Sequence, residues 1–423
     1  MKCKNCNSKK LKKIIYLNKQ PISSVFLKKP NFKLKKYSLD LFECQNCKLV
    51  QFNKLPPLDD MYGETYGYRT SLSPLMVNHM KKKFKTILDK KIINNNSLIL
   101  DIGSNDGTFL NFFAKKKQCK LYGIDPSSAK FKKFYNKKIN LISDYFSKKI
   151  IKKSLNNKKT KFDLITSYAM FYDIEDPNSF CRDINSLLSK NGIWILEMSY
   201  FPLLLKNLTY DQICHEHVTY YTLTSFEKII SKHNLKIVDF SFNEINGGSI
   251  EIICSKKSNK VKIQKEKIEK IKEEELKINL NSYKKFNDRI NNTKNVLNTF
   301  LDNIKSKDII GYGASTKGNI VLNHCNLNRN KLNFICDANP YKFNRFTPGS
   351  NIKIISKKEM RKKNPKYLLI LIWSFRSEVI KQEIKYILKG GKLIFHLPIF
   401  HIIDKNNYKD FLKKSFDSFS FNM

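Results

Sequence analysis

Strand-length apolar runs recur along the middle of this chain, over residues 97–102, 120–124, 163–167 and 193–197, with helix-length segments between them. Such alternation has few solutions. Parallel neighbours need crossover connections, and the connecting helices must cover both faces of the sheet. The pattern predicts a doubly wound α/β unit, closed by an antiparallel hairpin near 236–242 and 249–254. A second α/β pattern follows, with strands expected at 308–312, 332–336, 367–372 and 392–396. Between the two, residues 256–300 are dominated by Lys, Glu and Asn. There Ile263, Ile268, Ile271, Leu276 and Ile278 recur at near-helical spacing, which predicts one or two amphipathic helices acting as a spacer. A further helix is expected over 74–90.

Four of the ten cysteines form two close pairs, Cys3-x-x-Cys6 and Cys44-x-x-Cys47. Four thiolates can surround Zn²⁺ tetrahedrally, and close pairing lowers the entropy cost of gathering them. A site closed by four protein ligands has no open position for substrate, so this zinc is expected to be structural. The other six cysteines are scattered, which suits a reducing cytosol and not a disulfide scaffold. No secretory signal or membrane span is expected, because no run approaches the roughly 18 apolar residues a span needs. The predicted setting is cytoplasmic, and the sequence leaves the oligomeric state open.

The formal charge is +42, yet Arg69, Arg182, Arg289, Arg329, Arg345, Arg361 and Arg376 are the only arginines among 79 basic residues. Nucleic-acid readers concentrate charge and favour Arg for bidentate contacts. Lysine spread along the whole chain argues against a dedicated nucleic-acid function and fits an anionic small substrate equally well.

The first strand runs into Asp101-Ile-Gly103-Ser-Asn105-Asp-Gly107-Thr, a strand, tight turn and helix. The glycines let backbone approach a ligand at the carboxyl end of a strand. The next strand ends in Gly123-Ile-Asp125, where a carboxylate can accept ribose hydroxyls, and a third acidic loop follows at Asp144-Tyr145. The order and spacing resemble the S-adenosylmethionine site of class I methyltransferases. A DxGxxxG turn without GxGxxG disfavours a site for NAD. The resemblance implies that Asp101 and Gly103 flank the methionine end, that Asp125 binds the ribose and that Asp144 with Tyr145 lies near the adenine, with Asn105 and Gly107 as further cofactor candidates.

The most unusual segment is Asp211-Gln-Ile-Cys-His215-Glu216-His217-Val-Thr-Tyr220-Tyr221. His and Glu are common acid–base groups, and a Tyr can hydrogen-bond an oxyanion. The cluster could instead bind metal, or hold a loop. With 167–177, 197–202, Asn246-Gly-Gly248 and Gly311-Tyr-Gly-Ala-Ser-Thr-Lys317-Gly-Asn319, and with Trp373-Ser-Phe-Arg376, it resembles the sugar C-methyltransferases acting on nucleotide-linked keto-deoxysugars. That resemblance implies a class I methyltransferase core, an N-terminal zinc-binding module and a C-terminal Rossmann-like domain. The expected divisions are 1–75, 76–255, 256–300 and 301–410.

It also implies His217 as the base, with Glu216 and His215 beside it. A substrate-facing tyrosine falls on Tyr68 or Tyr66, and Tyr221 is a candidate substrate contact. Where the best-known members carry a further active-site His, this chain has Asp173, which leaves the sugar and the methylated carbon open. The Gly311–Asn319 turn looks like a phosphate cradle, with Lys317, Asn319 and Arg376 as candidate contacts to a nucleotide-sugar; the alternative is a structural Gly turn. The predicted activity is methylation of a carbon next to the ketone of a nucleotide-activated keto-sugar. The alternatives are a zinc-containing RNA-binding protein or RNA methyltransferase, a sugar O-methyltransferase, and a catalytically silent scaffold.

Overall fold

In the computed structural model, residues 2–57, 61, 69–156 and 159–413 are described. Three sheets carry the architecture. The N-terminal sheet joins β1 (Leu11–Ile15), β4 (Leu41–Cys44) and β5 (Val50–Phe52), beside a short ribbon of β2 (Lys19–Gln20) and β3 (Tyr37–Ser38).

The central sheet contains β6 (Leu98–Ile102), β7 (Lys120–Ile124), β8 (Ile139–Ile142), β9 (Phe162–Tyr168), β10 (Leu188–Ser199), β12 (Leu235–Asn243) and β13 (Ser249–Lys256). A two-residue strand, β11 (Thr219–Tyr220), lies between the last two pairs in sequence but belongs to another sheet. The order is β12-β13-β10-β9-β6-β7-β8, parallel from β10 to β8 and antiparallel through the β12–β13 hairpin. The order reverses at β6, which pairs with both β7 and β9. That opens a crevice at the carboxyl ends of the strands.

The third sheet repeats the logic with β14 (Ile309–Tyr312), β15 (Phe334–Asp337), β16 (Lys353–Ser356), β17 (Tyr367–Ile370), β18 (Lys392–Phe395) and β19 (His401–Ile403). Its order is β16-β15-β14-β17-β18-β19, parallel except at the β19 edge. The long apolar runs expected from the sequence are strands here. The strands without a sequence expectation, β1 to β5, β8, β11, β16 and β19, have two to five residues each. Runs so short carry no measurable periodicity.

Two features depart from the sequence reading. First, β11 comes from the His215–Tyr221 segment yet completes the N-terminal sheet. Thr219 and Tyr220 pair with Gln51 and Val50, and Phe52 N–H donates to Val218 O at 3.2 Å. The metal-bearing module is thus joined to the chemistry-bearing segment by a strand pair.

Second, the expected spacer is packed. The Leu280–Asp302 helix is fixed by an Asn279 capping box and buries Tyr283, Phe286, Ile290, Leu297 and Leu301. Tyr283 donates to Glu43 Oε1 at 2.7 Å, and Arg289 donates to the carbonyls of Leu205 and Lys206, both at 3.0 Å. One apolar core runs through the N-terminal sheet, this helix and the third sheet. The helix reads as polar in sequence because only one stripe of it meets that core.

Candidate active site and metal centre

The switch-point crevice is built by neighbouring residues. Asp101, near the end of β6, lies between Gly123 of β7 and Thr166 of β9 in register, and Thr166 Oγ1 donates to it at 2.7 Å. Burial raises the Asp101 pKa to about 7, against that hydrogen bond. The turn after β6 holds Gly103, Asn105 and Gly107 at φ +74°, +49° and +75°. At Gly107 a Cβ would come within 2.7 Å of the Tyr135 ring, so the position demands glycine for both its conformation and its space.

Asp125 accepts from Asn105 N–H at 2.9 Å and from Ser127 N–H and Oγ, each at 2.6 Å. Asp144 and Tyr145 follow β8 and are exposed, Tyr145 by 60%. The seven cofactor candidates therefore sit at the carboxyl ends of three adjacent strands. The sequence reading missed Asp106, which is buried, accepts Ser71 N–H at 3.0 Å and lies 3.7 Å from Arg69 Nε. Thr70 N–H donates to Asn105 Oδ1 at 3.0 Å. A segment 35 residues upstream is thereby tied to the crevice loop.

The four module cysteines converge. Their Sγ atoms all lie within 4.8 Å of one another, Cys3–Cys47 at 3.4 Å and Cys6–Cys44 at 3.5 Å. A tetrahedron with Zn–S near 2.3 Å requires S···S separations of about 3.8 Å, so the set fits Zn²⁺. The shared Cys47 hydrogen bond and burial push the Cys3 thiol up, and burial does the same to Cys44. Sulfurs crowded in a buried place favour a divalent cation that offsets their charge. The site is closed on all four sides by protein ligands, as expected of a structural ion.

His217 lies where the modules meet. Its ring centroid is 4.2 Å from that of Tyr172. Burial and the Lys317 ammonium lower its pKa to about 3, so the imidazole is neutral near pH 7, and its Nδ1 has no hydrogen-bond partner. Glu216 is buried, and burial raises its pKa against the nearby Ser24 hydroxyl; neither carboxylate oxygen has a partner of good hydrogen-bond geometry. Asp173 stands near enough for the Glu216 charge to add to burial in raising its pKa well above the usual range, and its Oδ1 is unpartnered. Asp211 accepts from Trp373 Nε1 at 2.8 Å. Burial raises its pKa to about 6, against the Lys317 charge.

His215 faces the other way. It is buried between Tyr37 and Phe52, with Nε2 3.3 Å from Tyr37 O, and burial lowers its pKa to about 4. Contrary to the expected catalytic grouping, this histidine packs against the metal module. Neighbouring residues of the segment point to opposite sides. Tyr221 is also placed in packing: it is fully buried among Phe171 and Phe226, and its hydroxyl accepts from Thr219 Oγ1 at 2.8 Å.

The third sheet supplies Lys317 and Asn319 from the first turns of the Thr316–His324 helix. Lys317 Nζ donates to Asn246 Oδ1 at 2.9 Å, and burial lowers its pKa. Asn246 belongs to the Asn246-Gly247-Gly248 turn, where a Cβ at Gly247 would come within 2.5 Å of the Trp373 ring. Arg376 is buried with its guanidinium 5.4 Å from the Phe411 ring centroid, and burial lowers its pKa to about 10. Tyr66 and Tyr68 lie outside the described residues. Trp373, Asp211 and Asn246 carried no role in the sequence reading, and nothing in their local spacing announces that they meet.

Three family descriptions match in succession: a zinc binding domain over residues 3–62, a methyltransferase domain over 76–239, and a C-methyltransferase C-terminal domain over 244–398. The C-methyltransferase NovU of Streptomyces niveus is 25% identical over 366 residues, covering 86% of each chain. A tRNA U34 carboxymethyltransferase of Campylobacter jejuni is 30% identical over 126 residues, 27% of this chain and 41% of that one. Among solved structures, the plantazolicin methyltransferase BpumL with a pentazolic desmethylPZN analog and SAH aligns at 16% identity and TM-score 0.33. It covers 43% of this chain and 84% of that one. An S-adenosylmethionine-dependent methyltransferase from Clostridium acetobutylicum aligns at 14% identity and TM-score 0.31, covering 42% and 89%. The switch-point crevice, the four-cysteine cluster and the three successive domain matches make this chain an S-adenosylmethionine-dependent methyltransferase with an N-terminal zinc-binding module and a C-methyltransferase C-terminal domain.

Proposed function

We propose that the protein methylates a carbon next to the ketone of a nucleotide-activated keto-deoxysugar. The observation that carries this reading is the neutral, partly unpartnered imidazole of His217, set between the methyltransferase core and Lys317 of the C-terminal domain. Support also comes from the likeness to NovU, which covers 86% of this chain. The proposed domain divisions remain 75/76, 255/256 and 300/301, and ten cysteines without a disulfide suit a cytoplasmic setting.

A ketone acidifies the hydrogen on the adjacent carbon. In this reading the His217 imidazole removes that proton, which a neutral ring can do and an imidazolium cannot. The Lys317 ammonium, close enough to lower the His217 pKa, offsets the negative charge of the enolate. Glu216 and Asp173, both raised toward their neutral forms, keep like charge away from that enolate and can donate hydrogen bonds when protonated. When bound, S-adenosylmethionine supplies the electrophilic methyl group. Asp101, Asp125 and the Gly103–Gly107 turn would hold it in the crevice, with Asp144 and Tyr145 as the candidate contacts to its adenine. Holding donor and carbanion in line supplies much of the rate. His215 positions the segment by packing on the module, and the zinc ion keeps that module folded.

Calorimetry with S-adenosylhomocysteine, followed by a panel of dTDP-, GDP- and CDP-sugars, tests the reading. Selective binding of one nucleotide-sugar supports it. Cofactor binding without any preference among nucleotide-sugars rejects the substrate class.

A further inference from the structure

Two polar groups at the module junction have no role in the chemistry above. Ser23 lies in the turn that follows β2, in the metal-bearing module, and is 0% exposed. Its hydroxyl has no hydrogen-bond partner. Asn319, also 0% exposed, reaches across from the C-terminal domain and donates from Nδ2 to Ser23 O at 2.7 Å. That bond fixes the amide orientation and leaves Asn319 Oδ1 buried and unpartnered. The next residue, Ser24, is close enough to Glu216 for its hydroxyl to favour the charged carboxylate. A buried hydroxyl and a buried amide oxygen, both orphaned and carried by two residues that a hydrogen bond joins, are costly to keep unless something else satisfies them.

We propose that Ser23 Oγ and Asn319 Oδ1 form a subsite that recognises a hydroxyl group of the substrate sugar; the proposal rests on the keto-sugar reading. The donor inventory decides the ligand chemistry. An amide oxygen only accepts, so the ligand must bring a proton to it, whereas a serine hydroxyl can donate or accept. One sugar hydroxyl, donating to Asn319 and accepting from Ser23, satisfies both. A phosphate or ketone oxygen has no proton for Asn319. The amides of Gly318 and Asn319 are occupied: Gly318 N–H donates to Ser315 Oγ at 2.9 Å and Asn319 N–H to Ser315 O at 3.0 Å. Asn319 therefore belongs to the sugar end of the ligand and not to a phosphate cradle. The metal-bearing module supplies a specificity residue as well as a fold.

The test is calorimetry on the full-length, zinc-loaded protein with S-adenosylhomocysteine. The probes are dTDP-, GDP- and CDP-hexoses, their monodeoxy analogues and the free nucleoside diphosphates. Wild type should bind one hexose series more tightly than its nucleoside diphosphate and lose affinity when one particular hydroxyl is missing. Ser23→Ala should weaken that hexose by roughly three- to tenfold, the worth of one neutral hydrogen bond. It should abolish discrimination at that hydroxyl and leave the nucleoside diphosphate unchanged. Because Ser23→Ala deletes only an orphaned hydroxyl, the melting temperature of the ligand-free protein should hold or rise; a fall means that the hydroxyl has a structural partner and overturns the proposal. Discrimination between hydroxyl and deoxy probes that survives Ser23→Ala overturns the subsite alone. Wild type that binds no hexose better than its nucleoside diphosphate overturns the keto-sugar reading and the subsite with it.

Discussion

The cofactor crevice and the His217 junction lie in one molecule and are made in opposite ways. In the crevice, polar groups answer one another. Asp125 takes three hydrogen bonds from Asn105 and Ser127, Asp101 takes one from Thr166, and Asp106 takes one from Ser71. At the junction, Asp173, Glu216, His217, Ser23 and Asn319 each keep a buried atom with no partner. The crevice is satisfied by its own turns and by the Thr70–Ser71 segment that closes on them. The junction is assembled from three modules and stays polar and unsatisfied, the state expected of a surface whose partners arrive with a substrate.

The largest expected break in this contrast is His217→Ala. Turnover of the keto-sugar should fall by about 10²–10⁴, the usual worth of a general base, while S-adenosylhomocysteine affinity stays within about twofold. Unchanged turnover measured by methyl transfer removes His217 as the base.

Cys44→Ser sharpens the contrast from the other side. It should release zinc and loosen the N-terminal sheet, and with it β11 and the His217 segment that β11 anchors. Zinc content and sugar turnover should fall together while cofactor binding persists. Cofactor affinity that collapses in parallel would show that the crevice also depends on the module, for which the Thr70–Asn105 and Ser71–Asp106 bonds are the route to examine.

Asp125→Ala is the reciprocal experiment. It should weaken S-adenosylhomocysteine by about 10- to 100-fold, roughly 1.4–2.8 kcal/mol, and leave nucleotide-sugar binding intact by calorimetry.

The smallest effect is the pH dependence of stability. His215 and His217 have folded pKa values of about 4 and about 3, below the ordinary 6.5. Below pH 6.5 the unfolded chain binds protons that the folded chain refuses. This stabilisation is complete above pH 6.5 and declines as pH falls, by at most about 1.4 kcal/mol per pH unit for each histidine. Asp101, raised to about 7 from 3.8, acts in the opposite sense: its contribution is complete below pH 3.8 and is lost as pH rises through about 7. Urea titrations between pH 7 and 5 should show a shallower acid decline for His217→Gln than for wild type. Equal slopes would mean that the ring is solvated in the free protein.

Much of this was legible in the residue order. The strands of both α/β units follow from apolar runs, because a strand buried on both faces must be apolar along its length. The Asp101–Gly107 turn and Asp125 were legible because a crevice at a switch point draws its residues from consecutive strand ends. The cysteine pairs were legible because a tetrahedral ion imposes its spacing on the chain.

The rest depended on which surfaces met. No local pattern sends β11 to a sheet begun about 200 residues earlier, turns His215 toward Phe52 and His217 toward Tyr172, or sets Ser23 beside Asn319. Local sequence encodes periodicity and turn conformation. The identity of a residue's neighbour across a module boundary is decided by packing one apolar face against another, and only the tertiary structure decides that.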